Sequence, residues 1–303
     1  MILSRSILVS VCFLFHFYAQ ANNHHRVIVE NELVEPVIEL VKHAQLSKQL
    51  GIIKTNSVAH SFIQGKGYIG ISSERWLDSD MAEFVRRYGY QPTELFFSSD
   101  AAAILVHPEN PVNAIDMPSL AKLFACNDTN TSPSWSALKL SSSEDQVQTY
   151  AGLNELKQHK KFTDLVTCEG EQQSSVKQLE VAQLLDTLNQ TPNAIAYTLY
   201  QSNFDQAKAL QLIDASGDYF DLNHETILSG RYPLANVYYM YVNLAPSGSY
   251  PAPAFKQFVQ YVQTQEAQQR MRKYGFIPLP EEAIQRNLVT LKQVEPEIAG
   301  GYK

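Results

Sequence analysis

The sequence predicts an α/β chain of two lobes, each a sheet flanked by helices, and three observations predict it. Short apolar runs alternate with amphipathic helical stretches between Arg26 and Val106, the pattern of a parallel sheet with helices packed on it. The run AAAILVH at 101–107, bounded by Asp100 and Pro108, is apolar throughout, as a buried strand requires, and the ENP turn behind it opens a new helix. Far downstream, GRYPLANVYYMYVN at 230–243 holds an aromatic-rich strand that can return the chain to the first lobe. The expected division is lobe 1 from 22–105 plus 240–303 and lobe 2 from 106–239. Two crossings make a hinge, and a ligand would sit in the cleft between the lobes.

Each element follows from local pattern. VIV at 27–29 is a short apolar strand, and Glu30-Asn31-Glu32 is a polar turn. A helix follows with apolar residues at Leu33, Val37, Leu40 and Val41, and its first turn tolerates Pro36. Gly51–Ile53 reads as a second strand, Asn56–Ile63 as a short helix, and Tyr68–Ile71 as a third strand. Leu77–Tyr88 is an amphipathic helix closed by Gly89. Thr93–Phe97 and Ala102–Val106 read as two consecutive strands around the polar Ser98-Ser99-Asp100. Beyond Pro108 come a helix over Pro118–Phe124, a Ser/Thr/Asn/Pro-rich loop at 126–135 and a strand over Leu138–Leu140. The stretch 141–161 reads as a capped helix, because Ser143 with Gln146 three residues later fits a capping box. A second amphipathic helix is expected over Ser174–Leu188, a strand over Asn193–Tyr197, and the last long helix from near Ala254.

Composition narrows the function. The first 21 residues hold a basic Arg5, the apolar stretch ILVSVCFLF and an Ala19-Gln20-Ala21 cleavage pattern, the features of an export leader cut after Ala21. Its apolar run is too short to span a bilayer, and no later segment is apolar enough for a transmembrane helix. The expectation is therefore a soluble, exported product with no membrane insertion. Losing Arg5 leaves 23 basic against 31 acidic residues, which argues against a nucleic-acid partner and requires any anion site to be local. Cys126 and Cys168 are the cysteines that remain after cleavage. In an oxidising compartment they fit a disulfide worth roughly 3–4 kcal/mol, or else two buried thiols. No cysteine or histidine spacing fits a metal site, and no catalytic motif is present. The chain reads as a non-enzyme without cofactors.

Three segments together resemble the phosphate-type periplasmic substrate-binding proteins of bacterial ABC transporters. They are GYIGISSERWLDSDMAEF with FFSSDAAAILVHPENP, the strand GRYPLANVYYMYVN, and AFKQFVQYVQTQEAQQRMRKYGFIPLP at 254–280. The resemblance implies the two-lobe type II fold, a periplasmic location, a monomer, phosphate or another small ligand in the cleft, and an ABC permease as partner. It also implies four contact regions. The first turn carries Glu30, Asn31 and Glu32, where two acids would repel a dianion. The second carries Thr55-Asn56-Ser57, where Ser57 reads as a ligand contact or a helix cap. The third carries Ser72 and Ser73, with Tyr68 in place of the family's acid and Arg75 set back by Glu74. The fourth falls on Ser141-Ser142-Ser143, with Ser143 the candidate contact. The scaffold motifs match the family while the ligand motifs depart from it. The alternative is a relative with an altered or lost phosphate site that binds another small ligand or acts as a sensor or interaction module.

Overall fold

The computed structural model describes residues 25–125, 132–153, 160–167, 175–201 and 204–295. The leader expected at 1–21, and Cys126 and Cys168 with the disulfide expected between them, lie outside the described residues. The chain opens with β1 (Arg26–Val29), α1 (Val34–His43), β2 (Gly51–Lys54), α2 (Val58–Ile63), β3 (Ile69–Ser72) and α3 (Asp78–Tyr88). The long strand β4 (Thr93–Val106) leads to β5 (Ala114–Asp116) and α4 (Met117–Phe124). Next are β6 (Gln148–Leu153), α5 (Lys160–Val166), β7 (Lys177–Glu180), α6 (Val181–Gln190) and β8 (Ala194–Leu199). The short strands β9 (Lys208–Ala209), β10 (Gln211–Ile213) and β11 (Tyr219–Phe220) and the helix α7 (His224–Leu228) precede β12 (Ala235–Val242). Three helices close the chain: α8 (Pro253–Val262), α9 (Gln265–Met271) and α10 (Glu281–Thr290).

Among the described residues, nine strands form one continuous sheet in the order β2-β1-β3-β12-β4-β8-β6-β7, with β9 also on β4. Strands β2, β1 and β3 are mutually parallel, and β12 runs antiparallel to both β3 and β4. On the far side β8 is antiparallel to β4, while β6 and β7 run parallel to β8. The carboxyl ends of β1, β2 and β3 therefore point toward the second lobe, and those of β8, β6 and β7 point back toward the first. Crevices outside the carboxyl ends of parallel strands are where α/β sheets bind ligands, and here two such ends face each other.

Apolar faces fix the layers. Val37, Leu40 and Val41 of α1 join Phe255, Phe258 and Val259 of α8 on one side of the first lobe's strands. On the other side Phe62 of α2, Trp76 from the turn before α3 and Phe84 of α3 pack together. In the second lobe, Phe162 of α5 stacks on Tyr197 of β8 with ring centroids 3.8 Å apart, and Phe124 meets both edge-on. Caps end and start the helices as their residues dictate. Asp116 accepts from the Ser119 amide at 2.7 Å, Asn223 and Thr226 form a reciprocal capping box, and Gly89 adopts φ 80° after α3.

Several expected elements are corrected. The pair of strands around Ser98-Ser99-Asp100 is one 14-residue strand. Its polar centre does not break it: Ser98 Oγ donates to the Ile277 carbonyl, the Ser99 carbonyl accepts from Ile277 N–H, and Asp100 accepts from Tyr238 Oη, while the buried Ser99 Oγ has no hydrogen-bond partner among the described residues. The helix expected over 141–161 is absent from its first half, where β6 pairs in parallel between β7 and β8. Ser143 makes no capping box; its amide donates to Ser141 Oγ and its own Oγ accepts from the Asp145 amide, a tight local turn. Sheet pairing overrides the helical spacing there, a tertiary effect that local propensity does not carry. Likewise Lys177–Glu180 is the strand β7, and α6 starts only at Val181. Leu138–Leu140 forms turns, with Lys139 at φ 61°, instead of a strand.

Gly70 shows how tightly α2 sits on β3. A Cβ there would lie 2.8 Å from Val58 Cγ1 and 3.0 Å from Phe62 Cδ2. Gly70→Ala is therefore expected to lower the unfolding free energy by about 1–3 kcal/mol, read as a shifted midpoint in urea denaturation at unchanged slope.

Candidate ligand-binding site

Parallel register brings three turns together. Val29 pairs with Ile71 of β3 and with Lys54 of β2. The next residues along the three strands, Glu30, Ser72 and Thr55, are therefore neighbours at the carboxyl edge. Backbone bonds hold this edge: the Glu30 amide reaches the Ile71 carbonyl at 3.4 Å, and the Thr55 amide reaches the Val29 carbonyl at 3.0 Å. One residue further, Asn31 Nδ2 donates to Asn56 Oδ1 at 2.6 Å, joining the first and second turns.

The Glu30 carboxylate sits on the serine pair. Ser72 Oγ donates to Glu30 Oε1 at 2.7 Å, and the Ser73 amide donates to Glu30 Oε2 at 3.0 Å. Ser72 Oγ in turn accepts from the Glu74 amide at 3.1 Å. Ser72 is buried, Ser73 and Glu30 are half-buried, and Asn31, Asn56 and Ser57 are exposed. The Ser57 side chain makes no cap to α2; its amide donates to Thr55 Oγ1 at 3.1 Å. Thr55 organises this turn in its place.

Other candidates are engaged elsewhere or lie further off. Arg75 is committed to Glu94, with Nε to Oε2 at 3.1 Å and Nη2 to Oε1 at 2.9 Å. That hydrogen bond raises the guanidinium pKa above its ordinary value. A cavity of about 420 Å³ opens beside this pair, lined also by Phe96 and Arg286. Tyr68 precedes β3, roughly 13 Å along the strand from Ser72, and its ring packs on Phe255 at 5.4 Å. Ser143 precedes β6, whose amino end pairs with Ala194 at the far end of β8. The six residues of β6 put that amino end about 17 Å from the strand's cleft-facing end. The structure thus groups Asn31, Ser72 and Ser73, sets Ser57 beside them, ties Arg75 to Glu94, and places Ser143 ahead of the far end of β6.

The cleft floor comes from the crossing strands. Tyr239 pairs with Ser72 on one side and Phe96 on the other, while Ala102 pairs with Leu199 of the second lobe. The two carboxyl edges are thus separated by six residues of β4, about 20 Å. Within that interval Asp100, 6% exposed, accepts from Tyr238 Oη at 2.6 Å, and Asn236 pairs with Asp100 across the strands. A cavity of about 340 Å³ bridges the lobes at this level, lined by Leu199–Gln201 and His224 on one side and Arg272 and Gly275–Pro278 on the other. Glu30 as the partner of the serines and Asp100 as a floor residue were not singled out from sequence. The β1–β3 register is the signal that finds Glu30, and it depends on pairing two segments 40 residues apart.

Burial raises the pKa of Tyr232, Tyr238 and Tyr241 above the ordinary phenol value, and at Tyr238 the Asp100 and Glu32 charges add to burial. The folded chain then keeps protons that the unfolded chain releases. Stability is expected to be complete below about pH 10 and to fall as pH rises past that value. Denaturation midpoints measured from pH 8 to 11 check this; a flat profile contradicts it.

Facing carboxyl edges, a two-strand hinge and a polar cleft define a two-lobe binding protein. A family profile described as the PBP superfamily domain matches residues 56–266, and the chain belongs to that superfamily. It is 26% identical over 251 residues to the phosphate-binding protein PstS of Pseudomonas aeruginosa, covering 80% of this chain and 77% of that one. A possible phosphate binding protein from Planctomyces limnophilus superposes with a TM-score of 0.70 at 17% identity, over 89% of this chain and 98% of the other. PstS from Borrelia burgdorferi superposes at 0.58 and 13% identity, over 85% and 99%. Among the described residues no helix is long and apolar enough to cross a membrane, and no group of three or more His, Cys, Asp or Glu is placed to hold a metal.

Proposed function

We propose that this chain is a periplasmic solute-binding protein that captures a small oxyanion, phosphate, in the interlobe cleft and presents it to an ABC-type membrane permease. It works as a monomer and performs no chemistry on its ligand. The observation that carries the reading is the convergence of Asn31, Ser72 and Ser73 on one carboxyl edge facing the second lobe. Hydroxyl and backbone N–H donors at such an edge suit an oxyanion. Hinge closure would then exclude water and strengthen each bond. The Pseudomonas relative, named as a phosphate-binding protein, and the export-leader pattern read at 1–21 support the ligand and the location.

Calorimetric titration of the mature chain with inorganic phosphate is the test. Saturable, single-site binding is expected. Silence of the wild-type chain at millimolar phosphate overturns the phosphate assignment. A second reading, a relative with an altered ligand, draws on the two acids Glu30 and Glu32 in the first turn. A thermal-shift panel of neutral and cationic ligands separates the two, because a true ligand in excess raises the melting temperature.

A further inference from the structure

We infer that Glu30 is the chain's own occupant of the oxyanion seat: its carboxylate competes with an incoming oxyanion for the Ser72 hydroxyl and the Ser73 amide, and this competition sets the affinity of the cleft. The inference rests on the cleft reading proposed above and identifies the residue that tunes it.

The geometry is that of a bound anion. Two carboxylate oxygens divide between two donors at 2.7 and 3.0 Å, distances typical of charge-assisted bonds. Each donor has a single proton to give. Ser73 offers one N–H. The Ser72 hydroxyl offers one O–H, whose direction is settled because the same oxygen accepts from the Glu74 amide at 3.1 Å. Both protons are committed to Glu30, so an external oxyanion reaches them only when the carboxylate moves away. Ser72 is 4% exposed, and water has little access to replace either partner.

The backbone does not depend on this side chain. The Glu30 amide donates to Ile71 and the Glu30 carbonyl accepts from Leu33. Ser72 ends, and Ser73 follows, a strand registered on both β1 and β12. Shortening Glu30 therefore leaves the two donors aligned and unpaired, at an edge that faces the cleft. A competing role as a brace for the turn predicts something different: loss of stability and no gain in binding.

The test is calorimetry with inorganic phosphate on the mature wild-type chain, Glu30→Ala, Glu30→Gln and the double variant Glu30→Ala with Ser72→Ala, at fixed pH and low salt, with thermal melts to establish folding. Glu30→Ala is expected to bind phosphate at least tenfold more tightly than wild type, and the double variant to lose that gain. Glu30→Gln, which keeps the volume and removes the charge, is expected to gain affinity as well and serves where the alanine variant does not fold. Folded Glu30 variants that bind no more tightly than wild type overturn the inference, whatever the wild type does. A silent wild type with a binding Glu30→Ala overturns the phosphate reading and upholds the competition. A binding wild type with weakened variants overturns the competition alone.

Discussion

The rest of the structure depends on the pairing of β4 with β12. These two strands lie side by side through the molecular centre, from Val242 opposite Thr93 to Ala235 opposite Ala101. Every other strand of the main sheet is placed by its order outward from this pair. Because β4 continues into the second lobe and pairs there with β8, one backbone sets both carboxyl edges and the distance between them. The hinge is consequently a strip of paired sheet, stiffer than two independent linkers. Closure must bend or twist adjacent hydrogen-bonded strands together, and the local irregularity at Tyr238/Tyr239 gives the strip a place to yield.

The polar centre of that strip explains how a cleft floor can be both buried and structured. Ser98, Ser99 and Asp100 would be costly in a sheet interior without partners. Ser98 Oγ and the Asp100 carboxylate are satisfied by the Ile277 carbonyl and the Tyr238 hydroxyl, and the Ile277 amide meets the Ser99 carbonyl, leaving only the Ser99 hydroxyl of the three unpartnered among the described residues. The closing segment Gly275–Pro278 therefore serves the hinge as well as the end of the chain. That connection links the far C-terminal region to the cleft more directly than its distance along the chain suggests.

Much of this was legible in the sequence, for identifiable reasons. The strands β1, β2, β3 and β8 are short apolar runs flanked by polar or turn residues, and the helices α1, α3 and α8 have clear apolar stripes. Local pattern suffices for them. It failed where pairing decides. Gln148–Leu153 has helical spacing but is held extended between β7 and β8, and Ser98–Asp100 looks like a break because its partners are more than a hundred residues away. The site divides in the same way. Ser72 and Ser73 could be picked from a motif, and the placing of Asn31 followed from the turn. Glu30 read only as an acid that would repel a dianion, because nothing local tells that its neighbour is Ser72. Ser143 looked like a contact because a hydroxyl-rich turn before an expected helix resembles one, yet the strand it precedes runs the other way.

The position of β12 between β3 and β4 also bears on the order in which the molecule can be assembled. The first lobe's central strand is contributed only after the whole second lobe has been made, some 130 residues after β4. Until then β3 and β4 are two unpaired edges, open to pairing with other chains. The second lobe, an uninterrupted insertion between β4 and β12, can condense first. The first lobe is completed last, by a strand threaded into a gap that its neighbours have kept open, and such late long-range pairing is slow. A nascent chain of this design is most exposed to misassembly just before its aromatic return strand arrives.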